Sequence, residues 1–418
     1  MRYQPFPPKF FAANRHQLAL KLDEDSLALV FSSDPMVRNA DQQHPWRQDS
    51  NFFYLTGLEQ PGLKLLLFPQ KNGQHQEILF IPAVDPTKEK WEGKMLTPER
   101  ATEISGIKKV LASDQFLGQF YRLQDLCQTL YTDLNSIFPQ QPLTTGHLLL
   151  DDLRQRLPGL TQKKLLPLIL PLRAKKRPEE IEKLRSALKV MCVALKEVAG
   201  KIKPGVMEYQ IEAELAYRYL YGGCSRLGFD TIVAGGQNAC TLHYVSNDAA
   251  LKNGDLVLID TGAEYGMYSG DITRTFPVSG KFSERQKHCY QAVLEVNKQV
   301  IRKLHANLSW KEITDMAGKV QGEVYKKFGF IEDPKDYLKV GYHRIGHSLG
   351  LDVHDLQVPE WPLREGAVIT VEPGLYLPDE GIGIRIEDNV LLTEGGCEVL
   401  SKEIPKEIDQ LEALVGKG

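Results

Sequence analysis

Long apolar runs, paired cysteines and an excess of charge of either sign are all missing from this 418-residue chain. No hydrophobic stretch approaches the ~18 residues that a bilayer-spanning helix requires. The N-terminal MRYQPFPPKFFAANRHQ mixes prolines and charges without the apolar core of a signal peptide. Six cysteines, Cys127, Cys192, Cys224, Cys240, Cys289 and Cys397, are scattered with no CxxC pair. That spacing fits neither a disulfide framework nor a zinc ribbon, and predicts free thiols in a reducing, cytoplasmic setting. The sequon Asn307-Leu308-Ser309 carries no weight in such a compartment. A net charge of −3 leaves no electrostatic footprint for nucleic acid or a membrane surface. The basic run in LPLRAKKRPEE has no interleaved aromatics and reads as a solvated linker.

What the chain does have is a succession of carboxylates and histidines between Asn253 and Glu387. NGDLVLIDTGAEYGMYSGDITRTFP, Asn253 to Pro277, reads as two strands joined by a glycine-containing turn. Leu256 to Ile259 is a continuous apolar run, as in a strand buried on both faces. Each strand carries one aspartate, Asp260 at the end of that run and Asp271 after the turn. A carboxylate at the end of a buried strand must be paired, hydrogen-bonded or bound to a cation. Two brought together by a hairpin repel unless a cation lies between them. Taken alone, the pair also reads as turn aspartates that cap strand ends.

Three downstream segments decide between these readings. YHRIGHSLGLDVHD (Tyr342 to Asp355), VITVEPGLY around Glu372 and GIGIRIEDNVLL around Glu387 add His347 and two carboxylates beside glycines or β-rich runs. Four carboxylates and one imidazole form a hard, oxygen-dominated set suited to Mn, Co or Zn and unsuited to a soft thiolate metal. One catalytic zinc typically takes about three protein ligands. The larger set fits two ions roughly 3.5–4 Å apart with a water between them.

These motifs resemble those of the pita-bread metallopeptidases, family M24: methionine aminopeptidase, prolidase and aminopeptidase P. Asp260, Asp271, His347, Glu372 and Glu387 fill that family's ligand order. VRNADQQHPWRQDSNFFYLTGLEQPG, Val37 to Gly62, resembles the signature of an N-terminal domain that aminopeptidase P and the larger prolidases carry and methionine aminopeptidases lack. The fold class implied is α/β: an aminopeptidase P-like N-terminal α/β domain over residues 1–172 and a pita-bread catalytic domain, α+β with pseudo-twofold halves, over residues 173–418. In that family the N-terminal domain supplies part of the active-site wall and much of the oligomer contact, which implies a homodimer or homotetramer. Asp41 aligns with an acidic position facing the site and Trp91 with a tryptophan near the substrate mouth, although Trp91 also reads as a surface anchor.

Local patterns fill in the elements. In the first half we expect helices at Phe10–Leu22, Pro98–Glu103, Phe116–Leu134 and His147–Arg156, and strands at Ser26–Ser32, Asn51–Thr56, Lys64–Phe68 and Glu77–Ile81. The linker is expected over Leu170–Glu179, where Arg-Pro-Glu-Glu supplies a helix start. A helix–helix–strands order then occurs twice. The first set has helices from Glu179 and over Glu208–Leu220, then strands Phe229–Ala234 and Cys240–Val245 ahead of the aspartate hairpin. The second has helices Glu284–Leu304 and Lys311–Phe328, with the His, Glu and Glu elements on strands.

The resemblance also distributes roles. Asp260 would serve one ion, His347 with Glu372 the other, and Asp271 and Glu387 would bridge them, with Glu372 doubling as proton acceptor. His243, His343 and His354 fall where the family keeps substrate-binding or proton-shuttling histidines, whereas a lone histidine on an apolar strand otherwise reads as a satisfied core group. They are expected to donate to the developing oxyanion and the leaving amine. Arg385, two residues before Glu387, is a candidate partner for a ligand carboxylate, and Tyr376 a candidate beside it. The implied activity is hydrolysis of Xaa-Pro bonds by a metal-bridging hydroxide, releasing the first residue of peptides with proline second. Two divalent ions are implied, Mn(II) ahead of Co or Zn. GIGIRIEDNVLLTEGG and the tail KEIPKEIDQLEAL look like bacterial aminopeptidase P. The short Glu372-to-Glu387 interval lacks an insertion some of those enzymes carry and keeps Xaa-Pro dipeptidase (prolidase) as the alternative. A creatinase-like hydrolase or a non-enzymatic pita-bread binding protein would lack the ligand set.

Overall fold

The structure is a computed structural model that describes residues 3–70, 73–133 and 142–417. The chain divides into two compact units, Phe6–Leu172 and Met1–Pro5 with Arg173–Gly418.

The first unit is built on a six-stranded mixed sheet. Ser26–Phe31, buried along its whole length, is a central strand. It runs antiparallel to Lys64–Pro69 on one side and parallel to Thr129–Thr132 on the other. His75–Ile81 and Val110–Ala112 extend one edge and Thr161–Lys164 the other. Leu27, Leu29, Leu66, Phe80, Phe116 and Phe120 fill one core of this unit.

Three sequence expectations fail here for identifiable reasons. Asn51–Thr56, expected as a strand, lies in the helix Ser50–Thr56. The Asp49 side chain caps its start by accepting from Phe52 N, and Gly57, at φ 69°, ends it in the left-handed region. All seven helix residues are buried, so no amphipathic stripe marked it. The helix expected over Phe116–Leu134 stops at Gln124, and Thr129–Thr132 becomes a strand whose β-branched and aromatic residues pair with Ser26–Leu29. Leu134 lies outside the described residues. The segment Leu170–Glu179 is not a solvated linker either, because helix Leu166–Ala174 is followed by a new helix at Pro178. Arg173 and Lys176 within it are buried.

In the second unit the paired helices are those expected, Pro178–Ala199 with Glu208–Tyr221 and Glu284–Lys303 with Trp310–Lys327. Ser283 and Ser309 begin the latter two with reciprocal capping boxes. Each pair leads into a small antiparallel sheet. One has Leu256–Thr261 between Ile232–Gly235 and Ile272–Pro277, and the other has Asp388–Thr393 between Val368–Val371 and Gly396–Val399. A two-stranded ribbon, Gly374–Leu377 with Ile382–Arg385, accompanies them. Two expectations change. Residues 241–245 form no strand, since a 3₁₀ turn over Gly236–Cys240 intervenes. His347, Glu372 and Glu387 sit at breaks between strands rather than on them.

Candidate metal centre and active site

Those breaks are what bring the carboxylates together. Asp260 is the fifth residue of strand Leu256–Thr261, and Asp271 immediately precedes strand Ile272–Pro277. The two strands pair with Asp260 opposite Thr273. The two sheets are tied at this point. Glu387 N donates to Thr273 O at 3.1 Å, and the Thr273 hydroxyl donates to Glu387 Oε2 at 2.8 Å. Asn389 brackets Asp271, its Oδ1 accepting from the Asp271 amide while its Nδ2 donates to the Asp271 carbonyl. Beneath them the buried Arg274 donates to Asp388 at 2.9 Å. Burial pushes the Asp388 carboxyl up, but the charges of Arg274 and Lys406 outweigh it and hold the group at about 2.

Ligand-type atoms of Asp271, His347 and Glu387 lie within 4.8 Å of one another. His347 Nε2 is 3.4 Å from Asp271 Oδ2 and 3.6 Å from Glu372 Oε1. The other ring nitrogen of His347, Nδ1, is 3.0 Å from the Ser348 carbonyl. That contact fixes the proton on Nδ1 and turns the Nε2 lone pair toward the carboxylates. Burial pushes the Asp271 and Glu387 carboxyls well above the usual range. The charges of Asp260 and Glu372 add to it at Asp271, and those of Asp271, Glu372 and Asp260 at Glu387. Burial likewise raises Glu372, against the opposing influence of His347 and Arg385. Among the described residues, Asp260 Oδ1 and Glu387 Oε1 are buried with no hydrogen-bond partner. Mutually repelling carboxylates, orphaned oxygens and an oriented imidazole fit a divalent cation site.

Arg385 lies at the end of strand Ile382–Arg385. Its Nη2 donates to Asp260 Oδ2 at 2.5 Å, its Nη1 to the Tyr376 hydroxyl at 2.8 Å and its Nε to Thr273 Oγ1 at 3.2 Å. The Tyr376 hydroxyl in turn lies 2.9 Å from His343 Nε2, while His343 Nδ1 meets the Arg344 carbonyl at 2.8 Å. The carbonyl selects the Nδ1–H tautomer, so Nε2 accepts from Tyr376. Burial and the nearby Arg385 charge push His343 down to about 4, which keeps it neutral. His243 and His354 make no hydrogen bond among the described residues, and the His354 ring stands 4.2 Å from that of His347.

Asp260, Asp271, His347, Glu372, Arg385 and Glu387 open on one cavity of about 460 Å³. Phe229, Ile232, Leu242, Val245 and Val353 give it apolar walls, and His243, His343 and His354 line it beside the carboxylates. The apolar wall residues, Thr273 and Asn389 were not singled out from sequence. Thr273 was open to detection, two residues beyond Asp271 on a strand and so on the same face. Tyr376 is buried and is held from the site by Arg385 and His343. Asp41 and Trp91 belong to the N-terminal unit, where both are exposed, Trp91 at 85 %.

Comparisons with known proteins identify the family. A family model described as metallopeptidase family M24 matches residues 182–394. The chain belongs to that family. A second model, the N-terminal domain of aminopeptidase P, matches residues 11–131, and the fold is that of aminopeptidase P: an N-terminal domain followed by an M24 pita-bread domain. The chain is 35% identical to the Xaa-Pro aminopeptidase of Escherichia coli strain K12, covering 97% of each chain. It is 34% identical to that of Haemophilus influenzae, covering 98% of this chain and 97% of the relative. Zinc-substituted E. coli aminopeptidase P in complex with product superposes with a TM-score of 0.90 at 33% identity over 98% of both chains.

Proposed function

We propose that the protein is a metal-dependent Xaa-Pro aminopeptidase that releases the first residue of peptides with proline second. The observation that carries this reading is the cluster of four carboxylates and His347 in a cavity with apolar walls, a donor set for cations beside a surface for a proline ring.

Asp260, Asp271, His347, Glu372 and Glu387 would hold two divalent ions, Mn(II) being the favoured pair for so oxygen-rich a set, with Co or Zn as alternatives. Bound there, the ions would supply Lewis acidity and lower the pKa of water near neutral pH. The chain's own groups do the rest. Hydrolysis takes a proton from the attacking water and delivers one to the proline nitrogen. Glu372, largely buried at the cavity wall and raised in pKa by that burial, is suited to accept the first and return it. His243 and His354 are the free imidazoles, available as donors to the oxyanion and the peptide. His343, with both ring nitrogens engaged, instead orients Tyr376.

A cytoplasmic setting is supported by six free cysteines. No helix among the described residues is long and apolar enough to cross a membrane. A homodimer or homotetramer is proposed by likeness, with the exposed Asp41 and Trp91 surfaces as candidates for contact or substrate approach.

The test offers Mn-loaded protein an Xaa-Pro dipeptide, the matching Xaa-Pro-Yaa tripeptide and an Xaa-Ala-Yaa control. Tripeptide cleavage with release of the first residue is expected. Cleavage of the dipeptide alone would make the protein a prolidase, and cleavage of neither would end the proline assignment.

A further inference from the structure

Helix Glu208–Tyr221 opens on a carboxylate that the reaction does not use. Glu208 is fully buried, and both its oxygens are committed to one stretch of chain, residues 235–249. Oε1 accepts from Gly235 N at 2.7 Å and Asn238 Nδ2 at 3.0 Å. Oε2 accepts from the Tyr244 hydroxyl at 2.8 Å and Ala249 N at 2.9 Å. Four donors match the roughly four lone-pair sites of an ionised carboxylate, and the N-terminus of its own helix favours the charge further. The backbone closes the same contact, Glu208 N donating to Ala249 O at 2.9 Å.

His243 lies inside that stretch and lines the cavity together with Leu242 and Val245. Among the described residues, 242–248 make no backbone–backbone hydrogen bond, so side chains hold this loop. Asn247, at φ 48°, secures its far end. Its Oδ1 accepts from Val233 N at 2.9 Å, and its Nδ2 donates to Thr231 O at 2.8 Å and Glu212 at 2.9 Å. Leu242 and Tyr244 pack against Ile232, Ala234, Ala239, Leu258 and Tyr376, with His243 between them in sequence.

We infer that Glu208 is the positioning residue for His243: it fixes the 235–249 loop so that the imidazole is presented to the peptide. The inference rests on the Xaa-Pro aminopeptidase reading. A hydrogen bond to a charged acceptor is about twice as strong as a neutral one. Without such bonds a loop residue can drift by the roughly 1 Å that costs on the order of 100-fold in rate.

The test is a pair of double-mutant cycles, read both as kcat/KM on an Xaa-Pro-Leu tripeptide and as binding of the product prolyl-leucine. Glu208→Gln turns an amide NH₂ toward groups that are themselves donors. It should lower kcat/KM on the order of 10- to 100-fold with metal content unchanged. In a His243→Ala background the same change should cost less than about 2-fold, since the group it positions is gone. Tyr244→Phe removes the bond to Glu208, together with the same hydroxyl's 3.1 Å contact to the exposed Asp248 side chain, and keeps the ring packing. It should give a smaller loss that also vanishes in the His243→Ala background, and it decides the question if Glu208→Gln does not fold. Losses that multiply in the cycles, or a Glu208→Gln protein with lowered Tm and unchanged kcat/KM, would overturn the inference while leaving the activity standing. A wild-type protein that neither cleaves nor binds these peptides would overturn the functional reading and this inference with it.

Discussion

The Arg385 guanidinium donates to Asp260 Oδ2 at 2.5 Å, while Oδ1 of the same carboxylate is buried without a protein partner among the described residues. One oxygen is thus spent on orientation and the other is kept for a cation. Arg385 also holds Tyr376, and Tyr376 holds His343, so a single fork organises three candidate site residues. Arg385→Gln should lower both activity and metal affinity by about 10- to 100-fold, the usual scale for a group that orients a ligand. Arg385→Lys should not rescue it, because a point ammonium cannot reproduce donations to Asp260, Tyr376 and Thr273 from one plane. Metal titration and kcat measurements on the two variants check this; a fully active lysine variant would show that only the charge matters.

The raised carboxyls make a prediction about protons. Asp271, Glu372 and Glu387 sit above the ordinary carboxylate range because burial and one another's charges oppose ionisation. Below their raised pKa values the cation-free site holds protons that a divalent ion must expel; above them it is already ionised. Mn(II) affinity should therefore rise with pH over the range in which these carboxyls titrate, with protons released on binding. Calorimetric titration of chelator-treated protein in buffers of different ionisation enthalpy measures both. An affinity independent of pH and of buffer would contradict the charge arrangement described here.

How much of this was readable beforehand differs between levels. Helices Glu208–Tyr221 and Glu284–Lys303 were expected to within a residue of their ends. The ligand candidates stood out because carboxylates flanked by glycine at strand edges are costly unless something binds them. The Ser50–Thr56 helix was hidden because a helix buried on every side has no polar face to set a period, and Phe52, Phe53 and Tyr54 favour strands locally. The Arg173 and Lys176 cations read as solvated because their partner, Asp355, is about 180 residues away in sequence, at 2.6 and 3.0 Å respectively in the fold. Hydrogen-bond roles were equally out of reach: the partners of Glu208 and His343 follow from loop conformations that no periodicity encodes.

Glu180 offers a test of burial without any role in the chemistry. It lies in the first turn of helix Pro178–Ala199, where Oε2 accepts from Arg177 N and Oε1 from the Tyr268 hydroxyl, each at 2.8 Å. Burial outweighs these two bonds and the nearby Lys176 charge, and raises the carboxyl to about 7. The folded state therefore keeps a proton that the unfolded chain loses near pH 4.5. Between the two values the native state binds more protons than the unfolded one, so stability falls as pH rises, and the fall ends once the folded group ionises. The shift corresponds to on the order of 3 kcal/mol lost across that window. Glu180→Gln is a fixed copy of the neutral form, and the Tyr268 hydroxyl can turn to accept from its amide. The variant should thus gain stability relative to wild type as pH rises from about 4.5 to 7, while the rest of the titrating surface cancels in the difference. Urea unfolding of both proteins across that range measures it. A stability difference that stays flat would mean that Glu180 is charged in the native core, with its bonds to Arg177 and Tyr268 outweighing the loss of water.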